Sequence, residues 1–255
     1  MPHLDLWDGY MRAYDFLTEV EGYNRSLQDI MAATGPRRGM RVLDAGSGTG
    51  NLSLALKAQG CEVVSCDFSA NALAAHRAKD PEACLVQASL EEALPFTDGQ
   101  FDAVCCASVL FALTRQGCRC AVREFHRVLR PGGRLVLTER APDQRNHHLI
   151  GLHFRGLARR LGVLRGALRG LMDLPSMAKV LYYNRRLRSL PDWQGYHSFT
   201  EEELRELLGS AGFENAQTCR TYGGLFFLVK AHKPGAAKPK EAVLTAKASG
   251  AQARF

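Results

Sequence analysis

Residues 42–50, reading V-L-D-A-G-S-G-T-G, constrain this chain more than any other stretch, because they join an apolar strand, an acid and three alternating glycines. Gly46, Gly48 and Gly50 permit a tight turn and a close backbone approach that larger side chains would forbid. Residues 51–59 (N-L-S-L-A-L-K-A-Q) then read as a helix closed by Gly60, so its first free N–H groups point at whatever the turn holds. A strand, a glycine turn and a helix in that order predict the opening unit of a doubly wound α/β sheet that cradles a nucleotide. The spacing separates this turn from two better known ones. A dinucleotide turn, G-x-G-x-x-G, needs glycine at position 51, which is Asn51, and the Lys-Ser/Thr ending of a phosphate loop is missing.

The remaining strands follow at regular intervals. Residues 61–66 (C-E-V-V-S-C) predict a second strand ending in Asp67, an acid placed to accept ribose hydroxyls as in other doubly wound sheets. A third strand spans 83–88 and leads into Ser89 and Leu90. The phrases Leu94-Pro95-Phe96 and Phe101-Asp102-Ala103-Val104 precede a fourth over 103–107, which runs into Ser108. A helix over 116–129 is stopped by Arg130-Pro131-Gly132-Gly133, and a fifth strand covers 134–138. Thr200 and Glu203 form a capping box that opens an amphipathic helix. Strands over 214–222 and 225–231, joined at Gly223-Gly224, suit an antiparallel hairpin. The expected architecture is a doubly wound, seven-stranded, mostly parallel sheet ending in an antiparallel hairpin.

The glycine turn with Asp44 two residues ahead of Gly46, together with Asp67, "LPF", "FD-x-V" and "RVLRPGGRLVLTE", resembles the class I S-adenosylmethionine-dependent methyltransferase superfamily. The N-terminal phrase "YMRAYDFL" is similar to the cap helix of its ubiquinone/menaquinone methyltransferase-like small-molecule branch. The resemblance covers residues 39–140 and 198–233, and implies a Rossmann-like methyltransferase fold with S-adenosylmethionine as cofactor. It assigns donor contacts to Asp44, Gly46, Ser47, Gly48, Thr49 and Gly50 in the turn, and to Asp67 on the ribose. Phe68 and Ser69 would lie beside the adenine, with Ser89, Leu90 and Ser108 after the third and fourth strands. Tyr14, beside Asp15, would reach the donor's amino acid end. The chain departs from the pattern twice: Ser89 stands where the family carries an acid, and Phe111 where many relatives carry a His.

Along the chain we expect an N-terminal helical cap over 1–38, the donor-binding half over 39–140 and a basic helical cap or lid over 141–197. The last helix and hairpin occupy 198–233, and a disordered tail of low core-forming content occupies 234–255. The net charge of +7 is confined to one region, since residues 141–200 hold ten Lys or Arg against three Asp and the rest balances. Within it Ile150, Phe154, Leu157, Leu161, Leu164, Leu168 and Leu171 recur at helical steps, predicting one apolar stripe over six turns with Arg155, Arg159, Arg165 and Arg169 off it. Glycines 151, 156, 162, 166 and 170 each cost about 1 kcal/mol against Ala, which suits two broken helices. Three readings compete: a cap on the sheet edge, a lid over an apolar acceptor pocket, and a basic amphipathic surface lying peripherally on anionic membrane. The basic run lacks stacking aromatics, so no nucleic-acid partner is expected.

A methyl donor of this kind is already activated, so the protein must mainly align an acceptor and exclude water. For a general base the candidates are Glu139, His153, Tyr182 and His197, with Tyr183 and Tyr222 beside them. No metal is expected, because His147, His148 and His153 have no carboxylate cluster and the eight cysteines show no zinc spacing. With no signal-like N-terminus and no apolar run of 18 residues, a cytoplasmic setting is expected, membrane-peripheral at most. The resemblance implies methyl transfer to a small lipophilic acceptor such as a quinol, polyketide, terpenoid or lipid, on oxygen or carbon. A phospholipid N-methyltransferase at the membrane surface and a silent donor-binding regulatory protein are the alternatives. Oligomeric state stays open.

Overall fold

The computed structural model describes residues 6, 9–10, 15–142, 146–189 and 198–235. Tyr14, His197 and nearly all of the expected tail lie outside the described residues. Seven strands, β1 (Arg41–Ala45), β2 (Glu62–Asp67), β3 (Cys84–Gln87), β4 (Phe101–Ala107), β5 (Leu129–Arg140), β6 (Glu214–Thr221) and β7 (Phe226–His232), form one sheet in the order β3-β2-β1-β4-β5-β7-β6. Strands β1 to β5 are parallel, and β7 is antiparallel to both β5 and β6. Chain order reverses between β1 and β4, and in open α/β sheets a crevice opens at the carboxyl ends of such a pair.

Helices α1 (Glu21–Thr34), α2 (Asn51–Ala58), α3 (Ala70–Lys79), α4 (Arg115–Val128), α5 (Asn146–Leu161), α6 (Val163–Arg188) and α7 (Glu201–Ser210) surround the sheet. Both faces are covered, so the central strands read as continuous apolar runs rather than as alternation. The period of two still sorts their side chains: Leu43, Val104, Leu135 and Leu137 join one core layer, while Val42, Ala103, Cys105 and Val136 join the other. Phe125 and Leu204, from α4 and α7, close the first layer; Ile30 and Leu56, from α1 and α2, close the second. Cys66, Cys105, Cys106 and Cys118 sit in these layers as small hydrophobes. Local signals set the helix starts: Thr114 accepts the Gly117 N–H, Ser69 accepts the Ala72 N–H, and Thr200 with Glu203 completes the capping box. Strand β5 is longer than the expected 134–138. It enters through the Pro-Gly-Gly phrase with a register shift against β4 and runs on to Arg140.

The basic insert is two helices, α5 and α6, as its glycines suit, and the break falls at Gly162, whose φ of +82° turns the chain back. The single apolar stripe does not survive that turn: Leu157 is buried, but Leu164, Leu168 and Leu171 are 85%, 63% and 58% exposed. The other glycines lie inside the helices. A Cβ at Gly166 would strike the Ala158 backbone, and one at Gly170 would strike the Phe154 ring, so these two let α5 and α6 approach closely. His153 and Asp173, both buried, join the two helices through a 2.9 Å Nε2 to Oδ2 contact.

Candidate active site

The turn between β1 and α2 forms the floor of the site. Gly46 and Ser47 donate their N–H groups to the Cys66 carbonyl at 2.7 and 3.0 Å, which ties the turn to the end of β2. Gly46, Gly48 and Gly50 all have positive φ. A Cβ at Gly46 would collide with Val109, and one at Gly50 with the His76 ring, so these two glycines answer to sterics of this chain's own packing, and Gly48 to its positive φ. Asp67 accepts the Gly48 N–H at 2.8 Å on one oxygen and the Ser69 N–H at 2.9 Å on the other. Asp44 accepts the Ser53 hydroxyl at 2.5 Å, and Ser53 contacts the Ser65 hydroxyl at 2.7 Å. Burial pushes the Asp44 carboxyl up to about 7, the Ser53 hydrogen bond opposes it, and the nearby Asp67 charge adds to the rise. Burial also raises Asp67, against the N–H groups of Ser69 and Gly48. Thr49 donates its hydroxyl to Asp15, and Lys79 meets the same carboxylate at 2.7 Å, so the N-terminal segment is fastened to the turn.

Above the turn lies a cavity of about 1630 Å³, counting its open mouth. Its lining is of two chemistries, a polar end and an aromatic end, which adjoin where the Asn51 amide donates to the Tyr23 hydroxyl at 3.3 Å. One is polar, with Asp44, Ser47, Thr49, Asp67, Ser69 and Ser89 on the wall beside Gly46, Gly48, Phe68 and Leu90. The Ser47 hydroxyl is buried there without a hydrogen-bond partner among the described residues. The other end is aromatic, with Tyr10, Tyr23, Phe111, Tyr222 and Phe226, plus Leu27, Ile30 and Val180. Ser108, at the carboxyl end of β4, and Tyr222, at the hairpin tip, line the wall with φ of 59° and 53°. Such conformations are strained for non-glycine residues and gather at functional sites. Tyr222 packs against Phe226 at 5.0 Å between ring centroids and meets the Tyr23 edge at 6.4 Å. Arg140, 8% exposed, is the one cation on the described wall, its guanidinium 5.9 Å above the Phe111 ring.

Of the donor residues expected from the sequence, all but Tyr14, which lies outside the described residues, lie in or border this cavity, and only Gly50 is set back from the wall. The expected bases are placed otherwise. Glu139 is wholly buried behind the wall; its Oε1 accepts the N–H groups of Val109 at 3.1 Å and Leu110 at 2.7 Å, and its Oε2 that of Phe111 at 3.2 Å. Burial lifts its carboxyl to about 8 against those three amides. It anchors the turn after β4 and is not among the wall residues. His153 is spent on Asp173 between the insert helices, and Tyr182 is 56% exposed; neither lines the cavity. His197 lies outside the described residues, and Tyr222 alone of the base candidates stands on the wall. Sequence reasoning passed over Arg140. The alternation along β5 carried the signal, since Thr138 and Arg140 share the face toward the cavity while Glu139 points away.

Residues 43–137 match a family model described as methyltransferase domain. The demethylmenaquinone methyltransferase of Thermus thermophilus is 32% identical over 223 residues, covering 82% of this chain and 92% of that protein. The demethylmenaquinone methyltransferase of Beutenbergia cavernae is 39% identical over 138 residues, 52% of this chain, and the chain spans only 56% of that relative's length. Among solved structures, a Burkholderia thailandensis 1,6-didemethyltoxoflavin-N1-methyltransferase with bound S-adenosylhomocysteine superposes with a TM-score of 0.57 at 21% identity, covering 90% of this chain and 86% of that one. Among the described residues no helix is long and apolar enough to cross a membrane. With the strand order, the glycine turn and the acids at the ends of β1 and β2, these likenesses place the chain in the class I S-adenosylmethionine-dependent methyltransferases, as a quinone methyltransferase-like member.

Proposed function

We propose that this chain methylates a lipophilic quinol, a hydroxylated aromatic ring bearing an apolar tail, held in the aromatic end of the cavity. The composition of the lining carries the reading: five aromatic rings, a few aliphatic side chains and Arg140, the single cation among the described residues of the wall, line the cavity. Aromatic walls favour a planar ring by stacking and edge contacts. A buried guanidinium favours the ionised form of a phenolic oxygen placed near it, and an ionised phenol is a stronger nucleophile at oxygen and at its ring carbons. Burial, with the neighbouring Tyr10 and Tyr23, raises the Tyr222 phenol well above its ordinary value, so it stays a proton donor at neutral pH and can hold the same oxygen. The acceptor's own proton then leaves to solvent, and none of the expected bases is needed.

The polar end suits S-adenosylmethionine. Its unpartnered Ser47 hydroxyl is a buried group that still lacks an acceptor or donor, and the positive φ of Gly46, Gly48 and Gly50 keeps bulky side chains out of the turn. In this reading Asp44 and residues 46–50 hold the methionine part and Asp67 takes the ribose. Phe68, Ser69, Ser89 and Leu90 enclose the adenine, and Ser108 stands at the junction of the two ends. Bound there, the cofactor supplies an electrophilic methyl group. An acceptor of this kind dissolves in lipid, so a peripheral contact of the basic insert with anionic membrane fits this reading without depending on it. The test is incubation with S-adenosylmethionine and a reduced, short-tailed demethylmenaquinone, followed by mass spectrometry. A product heavier by one methyl group is expected. Arg140→Leu should raise the quinol KM by about tenfold or more, the size of one lost hydrogen bond to a charged group, and leave S-adenosylhomocysteine affinity within about twofold of the original, well under 1 kcal/mol. Binding of S-adenosylhomocysteine without any quinol turnover would overturn the acceptor.

A further inference from the structure

Among the described residues, every large hydrophobic side chain left exposed falls between positions 161 and 182, in the insert. Val163, Leu164, Leu168, Leu171 and Met172 cluster on the first half of α6, and the steps of three and four between 164, 168 and 171 put them on one face. Scattered exposed leucines need no explanation, but a contiguous apolar face does. The same region is strongly basic. Residues 146–189 contain nine Lys or Arg and a single acid, Asp173. That acid is buried against His153 and Arg169, so it offers almost no negative charge to the surface.

We propose that this apolar face of α6, with the exposed Arg165 and Lys179 of the same helix and the exposed Arg155 and Arg160 of the adjoining α5, docks on an anionic lipid bilayer. Charge selects the occupant. A second copy of the chain would bring nine more cations against these nine, whereas an anionic leaflet is complementary to them. An apolar face ringed by basic residues settles at the headgroup boundary, where leucine and methionine reach the acyl region and the cations meet phosphate. One helix further links this face to the chemistry. Val180, on the inward side of α6 and less than two turns beyond Leu174, lines the aromatic end of the cavity. A lipid-dissolved acceptor would thus enter along the helix that rests on the membrane; that purpose rests on the quinol reading, while the docking itself does not.

Flotation of the full chain with vesicles tests the surface. Binding to vesicles of equal parts phosphatidylcholine and phosphatidylglycerol should exceed binding to phosphatidylcholine alone by about tenfold or more and fall as salt rises. The triple variant Leu164→Asp, Leu168→Asp, Met172→Asp should lose about tenfold or more of this binding. These side chains are exposed, so its melting temperature and S-adenosylhomocysteine affinity should stay put. Absence of flotation, or flotation that the triple variant leaves unchanged, overturns the proposal. So does a dimer by light scattering that the same variant splits, since the face would then belong to a second copy. Turnover of a short-tailed quinol in detergent-free solution separates the two ideas, because it depends on the cavity and not on the docked face.

Discussion

Replacing Glu139 distinguishes an anchor from a base. Its two oxygens take three backbone N–H groups, from Val109, Leu110 and Phe111, and the turn so fixed sets Val109 and Phe111 on the cavity wall. Glu139→Ala strands all three. A buried donor left without an acceptor costs about 1–3 kcal/mol, so the variant should lose about 3–9 kcal/mol, against a total of about 5–15 kcal/mol for a typical domain. Glu139→Gln keeps one oxygen for Val109 and Leu110 and turns an amide toward Phe111, which should cost about 1–3 kcal/mol. Urea unfolding followed by circular dichroism, without ligand, would rank the midpoints as wild type, Gln, Ala. Turnover measured on the folded fraction should fall only modestly in the Gln variant. If instead Glu139→Gln kept the wild-type midpoint and lost turnover by orders of magnitude, Glu139 would be the base and the anchoring account would be wrong. A Glu139→Ala protein within about 1 kcal/mol of wild type would refute it equally.

Two further outcomes follow from the acids at the strand ends. The Asp44 carboxyl sits at about 7 in the folded protein against an ordinary 3.8. For such a raised group the stabilisation is fully present below the lower value and is lost as pH climbs through the higher one. The stability of wild type relative to Asp44→Asn should therefore fall from about pH 4 to pH 7 and level off above, as read by urea unfolding at stepped pH; a pH-independent difference would contradict the buried, unpaired-charge picture. Asp67→Ala should weaken S-adenosylhomocysteine by about 1.5–3 kcal/mol in calorimetry, the scale of a charge-assisted hydrogen bond, and unchanged affinity would remove Asp67 from the donor site.

The sheet and the polar end of the cavity were legible because their determinants are local. A glycine turn, a strand-end acid and a helix cap are each decided within about ten residues, by sterics and hydrogen bonding that the sequence itself displays. The aromatic end was not legible. Tyr10, Tyr23, Arg140, Val180, Tyr222 and Phe226 converge from four distant stretches, and nothing in their spacing announces that they meet. The surroundings of Glu139 and His153 were not legible for a related reason. The sequence shows a titratable side chain at a strand end or on an apolar helix face but not its partners, which here are backbone amides and Asp173. The insert's stripe failed at a single residue. Counting helical steps across Gly162 assumed a continuous helix, whereas its positive φ resets the rotation, so leucines counted as core face outward. The glycines counted as helix breakers at 166 and 170 instead seat α6 on Ala158 and Phe154.

The cavity's two ends also divide unequally between shared and private parts of the chain. The stretch matched to the methyltransferase family, residues 43–137, contains the whole polar end, but of the aromatic end only the turn that carries Val109 and Phe111. Thr138 and Arg140 begin just past its border, and the other aromatic walls come from the N-terminal helix, the insert and the hairpin tip. Grafting those three segments from another member onto this sheet should therefore transplant the acceptor preference while leaving the glycine turn and the strand-end acids in place. The grip of Asp15 on Thr49 and Lys79 is a seam where such a chimaera must be refitted, because there an interchangeable wall and the common floor touch.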